Sequence, residues 1–144
     1  MQIDIVTQAD EELRGAFQRL IPQLTNSNSN PPPSLNDLTA LVRDSCTTLM
    51  VTRNEHGEIV GALTLTVYRV PTGIRSIIED VIVDTSARGE GVGEALMNRA
   101  IEVAREKGAT NISLTCNPMR AAANRLYQRL GFKQRETNLY QYKF

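Results

Sequence analysis

Residues 86–96 read SARGEGVGEAL, with glycine at every second position: Gly89, Gly91 and Gly93. Just upstream, residues 77–84 read IIEDVIVD, an Ile/Val-rich run with strand character. Downstream the apolar residues recur at helical spacing as far as Lys107, and Gly108 stands in the C′ place that ends such a helix. The glycines therefore mark a turn from a strand into a helix. The first N–H groups of a helix lack intrahelical partners and lie at the positive end of its dipole. Glycine lets a ligand approach that backbone closely and permits positive φ. A phosphate or pyrophosphate is the ligand that such a turn suits. Two common phosphate motifs do not fit. A P-loop needs Gly-Lys-Ser/Thr, and Glu94 follows Gly93 here; a dinucleotide fingerprint needs its third glycine one residue later.

Working outward, the chain reads as alternating short elements. Residues 2–6 are a strand, and Thr7 is placed to cap a helix carrying Leu13, Phe17, Leu20, Ile21 and Leu24 at helical spacing. TNSNSNPPPS, residues 25–34, reads as a surface loop, either a plain connector or a lid over the acceptor. Ser34 with Asp37 forms a capping-box pattern before a short helix through Leu38, Leu41 and Val42. Residues 47–53 and 58–69 are strands joined at the turn NEHGE, and 74–84 is the next strand. Residues 111–116 alternate as a half-buried strand, and 119–130 form a helix closed by Gly131. The end, FKQRETNLYQYKF, reads as a strand, a turn near Asn138 and a final strand. The order predicts one mixed α/β domain over residues 1–144.

Bulk composition narrows the function. Lys plus Arg and Asp plus Glu number 16 each, so the formal net charge is zero and nothing points to nucleic acid or to an anionic membrane. No apolar run approaches the ~20 residues of a membrane span. The opening MQIDIVTQADEE carries acids where a targeting leader carries Lys or Arg, which predicts a cytoplasmic location. Cys46 and Cys116 form no Cys-x-x-Cys or Cys/His cluster, so no metal is expected.

The segment VIVDTSARGEGVGEALM resembles the Arg/Gln-x-x-Gly-x-Gly/Ala signature of the GCN5-related N-acetyltransferase (GNAT) superfamily, on Arg88, Gly91 and Gly93. AANRLYQRLGF, residues 122–132, resembles that family's late helix with its tyrosine before Gly-Phe. The resemblance covers most of the chain. It implies a central, mixed, mostly antiparallel and twisted sheet of about seven strands flanked by four helices. It also implies acetyl-coenzyme A (acetyl-CoA) as cosubstrate. The pyrophosphate would lie on the backbone of Arg88, Gly89, Glu90, Gly91, Val92 and Gly93, and the pantetheine arm along Val81, Ile82 and Val83.

Acetyl transfer to an amine needs a proton acceptor, a polarised carbonyl and an acid for the leaving thiolate. The family's tyrosine position falls on Tyr127, which would serve as the acid; packed on Ala123 and Leu130 it would be a plain core residue. Glu79 and Asp80 are adjacent on a strand and so point to opposite faces, Glu79 with Ile77, Val81 and Val83, Asp80 with Ile78 and Ile82. IEDVIVD resembles the glucosamine-6-phosphate N-acetyltransferase branch, and relatives carry a base or amine-binding carboxylate at the Glu79 place. Glu79 is the expected base through a water, and a solvent-edge carboxylate is the plain alternative. The backbone N–H near Ile82 or Val83 would polarise the carbonyl. The family's asparagine before the tyrosine is replaced by Arg120, so Asn117 and Asn124 are the candidates to reach the pantetheine. His56 reads as a turn residue and Cys116 as a small buried hydrophobe. The chemistry predicted is transfer to a primary amine of a small molecule or peptide. A catalytically silent acyl-CoA-binding sensor is the competing reading, in which Tyr127 and Glu79 are dispensable. Tyr140, Tyr142 and Phe144 alternate, which suits either a homodimer contact or the chain's own core.

Overall fold

The computed structural model describes residues 1–24 and 31–144. The described residues divide into two compact units, 1–114 and 115–144. In the first unit the elements are β1 (Ile3–Ile5), α1 (Glu11–Leu20), α2 (Leu35–Arg43), β2 (Thr47–Arg53), β3 (Ile59–Val70), β4 (Gly73–Val83), α3 (Val92–Glu106) and β5 (Ile112–Ser113). The strands form one sheet in the order β1-β2-β3-β4-β5, antiparallel except for the parallel β4–β5 pair. This is the mixed α/β architecture expected, with five strands rather than about seven.

Local chemistry explains most boundaries. Ser34 Oγ accepts from Asp37 N at 3.1 Å and the Asp37 carboxylate accepts from Ser34 N at 2.9 Å, which completes the capping box of α2. The β2–β3 turn closes with Asn54 N donating to Glu58 O at 2.9 Å, and Gly57 takes φ +82 there. The cap of α1 is Asp10, not Thr7: the Asp10 carboxylate accepts from Leu13 N at 2.8 Å. An aspartate adjoining the acidic pair Glu11–Glu12 is a stronger acceptor than a threonine three residues outside the helix.

Each sheet face carries its own layer. Leu49, Val51, Ala62 and Ile82 pack with Leu13, Phe17 and Leu20 of α1 and Leu38 of α2. The opposite face packs on α3, whose Val92, Leu96, Met97, Ala100, Val103 and Ala104 are all buried. That approach needs Gly61, where an added Cβ would lie 2.7 Å from Val92 Cγ1 and 3.1 Å from Leu96 Cδ1.

The second unit holds α4 (Ala121–Arg129), ended by Gly131 at φ +95. Two sequence expectations need correcting here. The strand expected over 111–116 shrinks to Ile112–Ser113, and the two terminal strands are absent, because 132–144 adopt no regular secondary structure. Tyr140, Tyr142 and Phe144 are exposed and fill no core of this chain. A strand needs a ladder partner as well as alternation, and none is paired with this segment. Of the stretch 25–34, read as a connector or a lid, residues 25–30 lie outside the described residues. Among the described residues no helix is long and apolar enough to cross a membrane.

Candidate active site

The site begins with an irregularity in β4. Glu79 faces Thr64 across the ladder and Ile82 faces Ala62, so β4 spends one more residue than β3 between those pairs. This is a β-bulge, and Asp80 sits in it at φ +49. Aspartate tolerates the left-handed region better than most L residues. Directly opposed residues share a face, so the bulge reverses the alternation. Ile78, opposite Leu65, lies on the α3 face, whereas Ile82 lies in the α1–α2 core. The expectation that Asp80 shares a face with both Ile78 and Ile82, and Glu79 with Val81 and Val83, is therefore corrected. Glu79 shares its face with Ile77 and, past the bulge, with Ile82.

The bulge lies where β4 loses its outer neighbour. β5 pairs only at Ser76 and Ile77. Asp84 N donates to Val60 O at 2.8 Å. Alternation from that bond turns the Ile82 N–H toward β3 and the Val83 N–H outward. Burial holds the Glu79 carboxyl above the ordinary carboxylate value, with the charge of Asp80 adding to the shift; burial also raises Asp80.

The chain then leaves β4 through a buried carboxylate. Asp84 accepts from Ser86 N at 3.0 Å, Ser86 Oγ at 2.8 Å and Arg19 Nε at 3.1 Å. The Ser86 backbone bond leads the lowering of its pKa to about 2, with further help from Arg19. Gln23 Oε1 accepts from Thr85 N at 2.9 Å. Arg19 at the end of α1 and Gln23 in the turn just after it thus anchor the start of the glycine loop. Neither Arg19 nor Gln23 carries a sequence signal, because the contacts span 65 and 62 residues.

Beyond this anchor Gly89 and Gly91 both take φ +81, and a Cβ built on either meets no protein atom within 4 Å. Conformation, not crowding, demands glycine there, and the space over the backbone is open to a ligand. Gly91 is the N-cap of α3 and supplies no side chain to its donors. The first bond closing the helix is Ala95 N to Gly91 O, 3.0 Å, so Val92 and Gly93 direct N–H groups past the helix start. Arg88, Gly89, Glu90 and Gly91 are exposed, whereas the Val92 side chain is buried and offers only its backbone. This loop fits the pyrophosphate of a coenzyme A.

In the second unit Tyr127 is buried and meets the Phe132 ring edge-on at 6.2 Å. Burial raises its pKa, Cys116 adds to this and Arg120 opposes it, so the phenol keeps its proton at neutral pH. Asn124 Nδ2 donates to Asn117 O at 3.0 Å and to Arg120 O at 2.9 Å. Asn117 Oδ1 accepts from Met119 N at 2.9 Å. Both asparagines therefore hold the entrance of α4, while the Arg120 side chain is exposed. Cys116 is half-buried, and His56 is an exposed turn residue whose N–H donates to Asn54 Oδ1.

The chain matches the model of the Acetyltransferase (GNAT) family over residues 11–132. Glucosamine 6-phosphate N-acetyltransferase of Trypanosoma brucei brucei is 35% identical over 86 residues, 58% of this chain and 56% of that protein. The chain spans 26% to 56% of the length of four curated N-acetyltransferases that it matches. Among solved structures, an acetyltransferase of Trypanosoma brucei superposes with TM-score 0.78 at 25% identity, covering 99% of each chain. A protein described as a transcriptional regulator, from Bacillus halodurans C-125, gives TM-score 0.78 at 30% identity over 99% of this chain and 100% of its own. With residues 11–132 matched by that family's model and the fold reproduced in those neighbours, this chain belongs to the GNAT acetyltransferase family.

Proposed function

We propose that this chain is an N-acetyltransferase that moves the acetyl group of acetyl-CoA onto a primary amine, with residues 1–144 acting as a single domain. The observation that carries this reading is the pair of left-handed glycines opening α3 beyond a β4 edge with an outward N–H at Val83. Acetyl-CoA supplies the activated acyl carbon. The loop backbone from Arg88 to Gly93 holds the pyrophosphate, and Val81 and Val83 pair with the amide-bearing arm. Ile82 contributes by packing, since its own N–H turns toward β3. Glu79 takes the ammonium proton through a water, a task helped by its raised pKa. The nitrogen forms the new C–N bond as the C–S bond breaks, the departing sulfur takes a proton from the acid for which the family resemblance nominates the Tyr127 phenol, and the second proton that the nitrogen sheds restores that acid. The relatives named above include an enzyme for a phosphorylated amino sugar, which supports a small amine as acceptor.

Calorimetric titration with acetyl-CoA, followed by thiol release on an amine panel, tests the proposal. We expect binding, acceptor-dependent release, and a fall in kcat of about 100-fold in Tyr127→Phe. Binding without release on every amine would leave the silent sensor as the better reading. No binding would end both.

A further inference from the structure

Among the described residues one carboxylate is buried, and it stands at the entrance to the glycine loop: Asp84, 7% exposed. Its Oδ1 accepts from Ser86 N and Ser86 Oγ, both neutral donors. Its Oδ2 accepts from Arg19 Nε, and that guanidinium is the one cation paired with it among the described residues. Arg19 is held a second time, because its Nη2 donates to Ile59 O at 2.5 Å, on the first residue of β3. Gln23 joins the same cluster: its Nε2 donates to Arg19 O at 3.1 Å and its Oε1 accepts from Thr85 N. The turn at 84–86 does not itself require a charge. An asparagine there would accept the same bonds from Ser86. A buried ion pair at this place therefore calls for a reason beyond the turn.

We propose that Arg19 is a positioning residue of the coenzyme site: it cancels the buried charge of Asp84, so that the pyrophosphate meets a loop of donors with no uncompensated anion at its entrance. The inference rests on the reading of residues 88–93 as the pyrophosphate cradle. The free N–H groups at a helix start amount to about half a positive charge, so one bare carboxylate close by outweighs them. Removing Arg19 leaves Asp84 ionised, because the Ser86 backbone bond contributes more than Arg19 to its low pKa. The loop's own ionised side chains, Arg88 and Glu90, are exposed, opposite in sign and screened by solvent. Arg19 also lies in the last turn of α1, where the helix dipole favours a cation. The guanidinium fork adds the second tie, to Ile59 O, which a lysine ammonium is less suited to make together with the first.

The test measures the Kd of CoA by calorimetry, and kcat and KM for acetyl-CoA by thiol release, in the wild type, Arg19→Gln, Asp84→Asn and the double variant Arg19→Gln/Asp84→Asn. Arg19→Gln leaves the buried carboxylate unpaired and should weaken CoA binding about tenfold, the order of one partly screened charge–charge contact. KM for acetyl-CoA should rise in step while kcat at saturation holds, since Arg19 touches no reacting atom. Asp84→Asn breaks the same ion pair but removes the anion, and should bind CoA at least as tightly as the wild type. The double variant should return to within about threefold of the wild type. A purely structural pair predicts otherwise: both single variants lose affinity, and the double variant binds no better than Arg19→Gln. That pattern overturns the proposal, as does unchanged affinity in Arg19→Gln. Melting curves fix a temperature at which every variant is folded, and the opposed effects of the two single variants carry the proposal even where the double variant does not fold. If the wild type itself fails to bind CoA, the cradle reading falls and the role of Arg19 falls with it. If the wild type binds and Arg19→Gln binds equally, the cradle stands and only the role of Arg19 falls.

Discussion

The two stretches of β4 on either side of Asp80 both bury Ile or Val and have different duties. From Gly73 to Glu79 the strand is laddered to β3, and at Ser76–Ile77 also to β5. From Val81 to Val83 it is laddered to β3 alone and runs into the glycine loop. The first half supplies sheet; the second supplies an edge with an N–H free to bind. One residue separates them: Asp80, left-handed in the bulge. Apolar composition thus describes what a strand buries, while pairing decides what its backbone can still do.

That contrast can be broken from either side. The largest effect is expected at its boundary. Glu79→Gln removes the proposed base and should lower kcat/KM by about 100- to 10,000-fold, read by thiol release. The pH profile adds a sign. The base works unprotonated and its pKa is raised, so wild-type kcat/KM should climb with pH through a limb above the ordinary carboxylate value, and the variant should lose that limb. A limb at an unshifted carboxylate pKa would disprove the assignment. The next effect lies past the open half. Gly91→Trp forces a bulky L residue to φ +81 where the backbone must stay bare, and should weaken CoA binding about 100-fold by calorimetry, the loss of one or two charge-assisted bonds. Unchanged affinity would end the phosphate-cradle reading. The smallest effect sharpens the comparison rather than breaking it. Asp80→Asn keeps a residue tolerant of the left-handed region and removes one charge beside Glu79. Stability should stay within about 0.5 kcal/mol, and the acid limb should move to lower pH. Asp80→Val, intolerant of that region, should cost about 1–2 kcal/mol by chemical denaturation.

Legibility from the residues followed the range of the interactions. The Ser34–Asp37 box, the Asn54–Glu58 turn and the glycines at 108 and 131 are local, and their residues announce them. The glycine loop was equally legible, because φ +81 at Gly89 and Gly91 is a property glycine alone adopts freely. The terminal strands are absent for the converse reason: the alternation of Tyr140, Tyr142 and Phe144 states a preference, and a strand also needs a partner edge. Thr7 and Asp10 both satisfy the short-range rule for a cap, and only the start of α1 chooses Asp10.

By itself the sequence determined most of the element types of residues 1–114 and the strand–glycine–helix turn, since these follow from residue type and short spacing. Only the tertiary structure decided that β4 bulges at Asp80 and that Ile78 and Ile82 serve different cores. It also decided that Arg19 and Gln23 anchor the loop from more than 60 residues away. Those features depend on register and long-range pairing. A single inserted residue there reverses every face beyond it, and no local pattern records the insertion.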